Sequence, residues 1–226
     1  MRKAHTDREF ENELRVLRER LLAMAGWVEQ MIAQSTRALV ERDDELAKAT
    51  IELDRNVNRT ELETDELCMV ILARRQPMAS DLRFITLALK MVTDLERIGD
   101  LAVNICERAI DLNKQAQLKP YRVIPRMAET VQSMVHDAIE AFVNGDETTA
   151  YDVIARDDLV DDLYSDVFID LLNIMTNDPA AVERGIHVQS VAKFLERMAD
   201  HSTNLAEQVI FMVKGKDVRH SGKLVV

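Results

Sequence analysis

The sequence predicts an all-α protein built as a tandem repeat of two three-helix bundles, six long helices in all. Three observations predict it. Apolar residues recur at alternating spacings of three and four over long stretches, which is the helical period. Only six glycines and four prolines interrupt 226 residues, with 47% hydrophobic and 31% charged, too few breakers for a turn-rich β fold. Finally, LERIGDLAVNICE at 95–107 returns as LERMADHSTNLAE at 195–207, with Leu, Glu, Arg, Asp, Asn and Glu in register at an offset of 100, the mark of an internal duplication.

The elements follow in order. Helical periodicity runs over about 10–40 and 44–75 and stops where Gln76-Pro77 removes a backbone donor; it resumes over about 80–114. The connector QLKPYRVIP carries two prolines and marks the boundary between a first repeat, 1–116, and a second, 117–226. Helices at about 125–143, 146–176 and 180–214 follow, separated by Asn144-Gly145 and by Asn177-Asp178-Pro179, where Pro suits a helix start. Residues 215–226 read as a loose tail. The second helix repeats as well, since LDRNVN at 53–58 aligns with RDDLVD at 156–161 at an offset of 103. The third helix carries a seam, Phe84, Ala88, Met91, Leu95, Ile98, Ala102, Ile105, Ala109 and Leu112, matched in the sixth by Arg184, Val188, Val191, Leu195, Met198, Ser202, Leu205, Val209 and Met212. Such seams belong in the core of helical bundles. The eleven methionines read as gap-fillers of that core.

The charge balance excludes several functions. With 40 acidic against 29 basic residues the formal charge is −11, which opposes binding to nucleic acid or to an anionic membrane surface. Neither a secretory signal nor an apolar stretch of membrane-spanning length is present, so a soluble cytoplasmic protein is expected. Cys68 and Cys106 lack CxxC spacing and read as reduced core thiols.

The polar residues that break the apolar pattern carry the chemistry. Residues four apart share a helical face, so Glu96 stands over Asp100 and Glu196 over Asp200. Asn104 and Glu107 extend the first strip within an arc of about 80°. Glu96 interrupts an otherwise apolar row, Ile85, Leu89, Val92, Gly99, Val103, Cys106 and Ile110. An ionised carboxylate inside an apolar face is costly unless a cation neutralises it. The second helix repeats the device with Asp54, Asn58, Glu61 and Asp65, the fifth with Asp157 and Asp161. Packing each pair of helices would converge four or five oxygen ligands in each half. Carboxylates without His or Cys favour hard or oxygen-bridged cations, Mg²⁺, Ca²⁺, Mn²⁺ or ferric iron, with Zn²⁺ a further candidate. The bland alternative is a solvated acidic face neutralised locally by Arg97 and Arg197. None of the five histidines is duplicated, and His201 beside Asp200 reads as a surface or supporting residue.

The stretch ARRQPMASDLRFITLALKMVTDLERIGDLAVNI at 73–105, FLERMADHSTNLAE at 194–207, VKGKDVRH at 213–220 and DRNVN at 54–58 together resemble the phosphate-uptake regulator (PhoU) family over essentially the whole chain. The resemblance implies paired three-helix bundles whose E(D)xxxD motifs hold metal ions, often in multinuclear clusters. Matched position by position, the motif falls on Glu96/Asp100, Glu196/Asp200 and Asp157/Asp161; the second helix has Asp54 but Asn58 where the acidic motif has Asp, with Glu61 as a substitute ligand. The resemblance further implies a homodimeric, non-catalytic adaptor that represses the phosphate-starvation response. It would couple the ATPase subunit of the phosphate-specific ABC transporter to the sensor histidine kinase PhoR, and would reach the inner membrane only through those partners. Two alternatives stand beside it: a helical scaffold without a metal requirement, and a di-metal carboxylate oxidase, which normally needs Glu-x-x-His on two helices, a pattern missing here.

Overall fold

The computed structural model describes residues 4–118 and 121–215, with side chains from residue 8. Its elements are α1 (Ala4–Glu41), α2 (Asp44–Arg75), α3 (Ala79–Asn113), α4 (Val123–Asn144), α5 (Glu147–Ala155), α6 (Asp157–Asn177), a 3₁₀ turn (Pro179–Ala181) and α7 (Val182–Lys214). No strand occurs among the described residues. All but Gly215 of the tail expected at 215–226 lies outside the described residues.

The ends of the helices are set by local chemistry. Asp43 caps α2, its carboxylate accepting from the Leu46 N–H at 2.9 Å. Gln76, at φ 47°, turns the chain out of the helix before Pro77. Gly145 closes α4 with φ 63°, a left-handed conformation that glycine adopts without steric cost. Asp146 then caps α5, accepting from the N–H groups of Thr148 and Thr149. Arg42 also has a positive φ, 61°, and its guanidinium explains why the conformation is kept. Nη2 donates to the carbonyls of Asn113 and Gln115 at 2.7 and 2.6 Å, satisfying acceptors that the end of α3 leaves open.

The second helix of the second repeat is not continuous. Where periodicity predicts one helix over 146–176, the chain tightens at Arg156, whose N–H bonds to the Val153 carbonyl at 3.1 Å, and splits into α5 and α6. No Gly or Pro causes the break. Arg156 is instead held by α4, donating to Asp137 Oδ2 at 2.6 Å and to Ser133 Oγ at 2.7 Å. The pair α5–α6 still fills the place of one helix in the six-helix frame, and the break leaves Asp157 in the first turn of α6.

Helices α3 and α7 are the centres of their repeats. All nine seam residues of α3 are buried, as are seven of the nine on α7; Arg184 and Met212 at its ends are half-buried. The two repeats share one core, with Leu17, Met24 and Met31 from α1 joined to Leu95 and Ile98 of α3, Met134 of α4 and Val188 and Leu195 of α7 in a single apolar cluster. Phe84 of α3 stacks on Phe142 of α4 at 5.3 Å between centroids, a contact across the duplication. The methionines divide: Met24, Met31, Met91, Met127, Met134 and Met198 fill the core, whereas Met69 and Met78 are largely exposed and correct the expectation that all are core. Cys68 and Cys106 are buried and unpaired, and burial pushes each thiol up to about 12, so both stay protonated and unreactive at neutral pH.

Candidate metal centre: two carboxylate clusters

Each repeat brings its acidic motif together where the second helix packs on the third. In the first, Asp54, Asn58 and Glu61 of α2 meet Glu96 and Asp100 of α3. Asn58 Nδ2 donates to Asp54 Oδ2 at 2.7 Å. Arg97 lies 3.5 Å from Glu96 and 3.6 Å from Asp100. Burial, then the charge of Asp100, raises Asp54; burial, then Asp65, raises Glu61; burial, then Asp100, raises Glu96. Gly99 permits the close approach of α2 here: a Cβ at that position would stand 3.2 Å from Asp54 Oδ1. Glu107, on the same predicted strip, is left out, since seven residues carry it about 10 Å further along the axis, where it lies 4.0 Å from Arg108.

In the second repeat Asp157 and Asp161 of α6 meet Glu196 and Asp200 of α7. Asp157 is pushed up to about 6, by burial first and then by Asp200, Asp161, Asp158 and Glu196. Burial and Glu196 raise Asp161 and Asp200 in the same direction. The ion pair that Glu196 makes is with Lys193, at 2.6 Å, a correction to the expected neutralisation by Arg197. The sequence signal was present, because Lys193 sits three residues before Glu196 on the same face. His201 is likewise drawn elsewhere. Its Nδ1 stands 2.9 Å from Asp94 Oδ1, and Gln208 Nε2 donates to Asp94 Oδ2 at 2.8 Å, joining α3 to α7.

All eight predicted ligands therefore fall into two clusters of four: Asp54, Glu61, Glu96 and Asp100, and Asp157, Asp161, Glu196 and Asp200. Their carboxyl groups do not yet close on a point. Among the described residues no group of three or more His, Cys, Asp or Glu side chains is disposed to hold an ion as it stands. The donor set nevertheless fits a hard cation. Asp54 Oδ1 and Glu196 Oε2 are buried without a hydrogen-bond partner, and within the two clusters the acids whose protonation is displaced all move toward the neutral form. Like charges forced together in a partly desolvated seam are relieved by a proton or by a cation.

Comparison with known proteins places this architecture. A family described as PhoU domain matches residues 21–109 and again 124–209, the two repeats in turn. A phosphate-specific transport system accessory protein PhoU homolog of Pseudomonas putida is 41% identical over 96% of this chain and 86% of its own length. The phosphate-specific transport system accessory protein PhoU of Escherichia coli K12 is 35% identical over 96% of this chain and 90% of its own length. The crystal structure of PhoU from Pseudomonas aeruginosa superposes with a TM-score of 0.89 at 40% identity, over 92% of this chain and all of that one. Two matched repeats, end-to-end relatives and a common backbone make this chain a member of the PhoU family.

Proposed function

We propose that this chain is a metal-binding negative regulator of the phosphate-starvation response, an adaptor that couples the phosphate-specific ABC transporter, through its ATPase subunit, to the sensor histidine kinase PhoR. The carrying observation is its end-to-end similarity to proteins named as accessory to phosphate-specific transport. In this reading it works as a cytoplasmic homodimer, held at the inner membrane by partners. Among the described residues no helix is long and apolar enough to cross a membrane, which agrees with recruitment by partners.

The adaptor needs rigid surfaces, and the carboxylate clusters are where rigidity can be set. Asp157 and Asp161 on α6 and Glu196 and Asp200 on α7 would hold a cation in the second repeat; Asp54, Glu61, Glu96 and Asp100 would hold one in the first. A bound Mg²⁺, Mn²⁺, Fe or Zn²⁺ ion supplies the positive charge that the clustered acids lack. Without it, Lys193 and Arg97 neutralise part of each cluster. That pairing favours a second reading, a helical scaffold with no metal requirement. Metal analysis of protein purified without chelators or a His-tag separates the two. For the regulatory role, deleting the gene is expected to switch on phosphate-starvation genes in rich phosphate; normal repression in a deletion strain with no paralogue would count decisively against it.

A further inference from the structure

The duplication provides an internal control, because each position of α6–α7 has a counterpart in α2–α3. Helices α6 and α7 run antiparallel. At one end Asp157 and Asp161 meet Glu196 and Asp200, as described above. Lys193 Nζ lies over the Tyr164 ring at 5.6 Å. At the other end Met175 packs on Gly185, where a Cβ would stand 2.6 Å from its sulfur. Between these fixed points the antiparallel register puts Leu172 of α6 level with Ile186 of α7 and Phe168 one turn away, with Ile169 and Val182 further out.

These five residues are 48%, 57%, 47%, 56% and 39% exposed respectively, although all are large and apolar. Scattered singly such residues mean nothing; grouped by helical spacing on two packed helices they can form the apolar surface of an interaction site. In the first repeat the offsets of 103 and 100 give Asp65 for Phe168, Glu66 for Ile169, Thr86 for Ile186, Met69 for Leu172 and Leu82 for Val182. Three of the five are polar there. The same backbone thus makes a water-compatible face in one repeat and an apolar face in the other, so the fold does not require the apolar residues.

A further contrast indicates what covers this face. Helix α6 carries six acids, Asp157, Asp158, Asp161, Asp162, Asp166 and Asp170, and no basic residue, whereas the matching stretch of α2, residues 54–74, mixes Arg55, Arg59 and Arg74 among its acids.

We infer that the α6–α7 face of the second repeat is a docking groove for a basic amphipathic helix of a partner protein. Apolar side chains on one face of that helix, spaced i, i+3/i+4 and i+7, would cover Phe168, Leu172 and Ile186, while its Lys and Arg residues would meet the acids of α6. An anionic membrane is disfavoured by the same acids, which would repel it. The inference takes from the adaptor reading the premise that a partner exists.

The test uses the full chain and two labelled 18-residue peptides of identical Leu pattern, one with Lys and one with Glu at the polar positions. Fluorescence anisotropy should show the Leu/Lys peptide binding at least about tenfold more tightly than the Leu/Glu peptide, with affinity falling as salt rises. The double variant Phe168→Asp/Ile186→Thr installs residues that the first repeat already carries. It should weaken Leu/Lys binding by about tenfold or more, even though it adds a negative charge, because the apolar contact is lost. Ile169→Glu provides a second, milder variant, and helix content by circular dichroism should be unchanged in both. Equal binding of the two peptides, or unchanged affinity in variants that fold normally, overturns the proposal. So does conversion of a dimer to a monomer by Phe168→Asp/Ile186→Thr, since the face would then belong to a second copy of the chain. The assay makes no use of phosphate signalling, so its failure falls on this inference and failure of the deletion test falls on the adaptor reading.

Discussion

Replacing Glu196 and Asp200 together by Ala is expected to abolish tight metal binding by the second repeat, and to do more damage than the matching change of Glu96 and Asp100. Each removes two carboxylates, so the difference comes from how tightly the intact sites bind. In the second cluster Asp157 and Asp161 are both acids of α6. In the first, Glu61 joins Asp54 from α2, but the neutral Asn58 stands in the place matching Asp161, and its amide already occupies Asp54 Oδ2 at 2.7 Å and would have to be displaced. A hard cation gains from each added anionic oxygen. Loss of direct ligands should cost at least the roughly 10–100-fold typical of losing their supporting partners. Titration of chelator-stripped protein by calorimetry checks this; equal affinities in the two repeats would remove the asymmetry, and no binding by the unmodified chain at micromolar metal would remove the site.

Asp157→Asn should stabilise the metal-free protein at neutral pH and destabilise the metal-loaded one. In the folded state the Asp157 carboxyl is raised from its ordinary 3.8 to about 6, mainly by burial. Below about pH 4 it is protonated in both folded and unfolded chains and contributes nothing. Between those limits the folded chain keeps a proton that the unfolded chain has released, so stability falls as pH rises; above about 6 the full cost is present. Discounted for partial exposure, that cost is on the order of 1–3 kcal/mol. The amide avoids it. The expected gain from Asp157→Asn is therefore present at pH 7 and absent near pH 4. With saturating metal the sign reverses, because a ligand and its share of binding-linked stability are lost. Denaturant melts at the two pH values, with and without metal, would reveal either outcome; a variant less stable than the parent at pH 7 without metal would sink the electrostatic account.

The helical frame was legible because the seam of α3 repeats without a gap from Phe84 to Leu112, and all nine of its residues are buried. The ligand sets were legible for a related reason: an acid such as Glu96 that interrupts an apolar row on one helix must meet something on the next. What could not be read depends on contacts distant in sequence. The break at Arg156 is made by Asp137 and Ser133 on another helix and leaves no mark in local propensity. His201, read from the sequence as a surface or supporting residue, pairs with Asp94, 107 residues away. Lys193, three positions earlier on the same face, reaches Glu196, whereas the first repeat has Thr93 there and the adjacent Arg97 approaches Glu96 at 3.5 Å. Met69 and Met78 were expected inside because composition does not record which side of a stripe faces water.

The apolar cluster that runs unbroken from Leu17 through Leu95 to Leu195 has a consequence for cooperativity. A duplicated chain could in principle melt one copy at a time, each with its own midpoint. Here α3 packs against α7 as well as within its own bundle, so unfolding either copy strips the wall from the other and opens aliphatic surface to water. The two copies are therefore expected to unfold as one cooperative unit, so that a lesion in one is felt as loss of the whole.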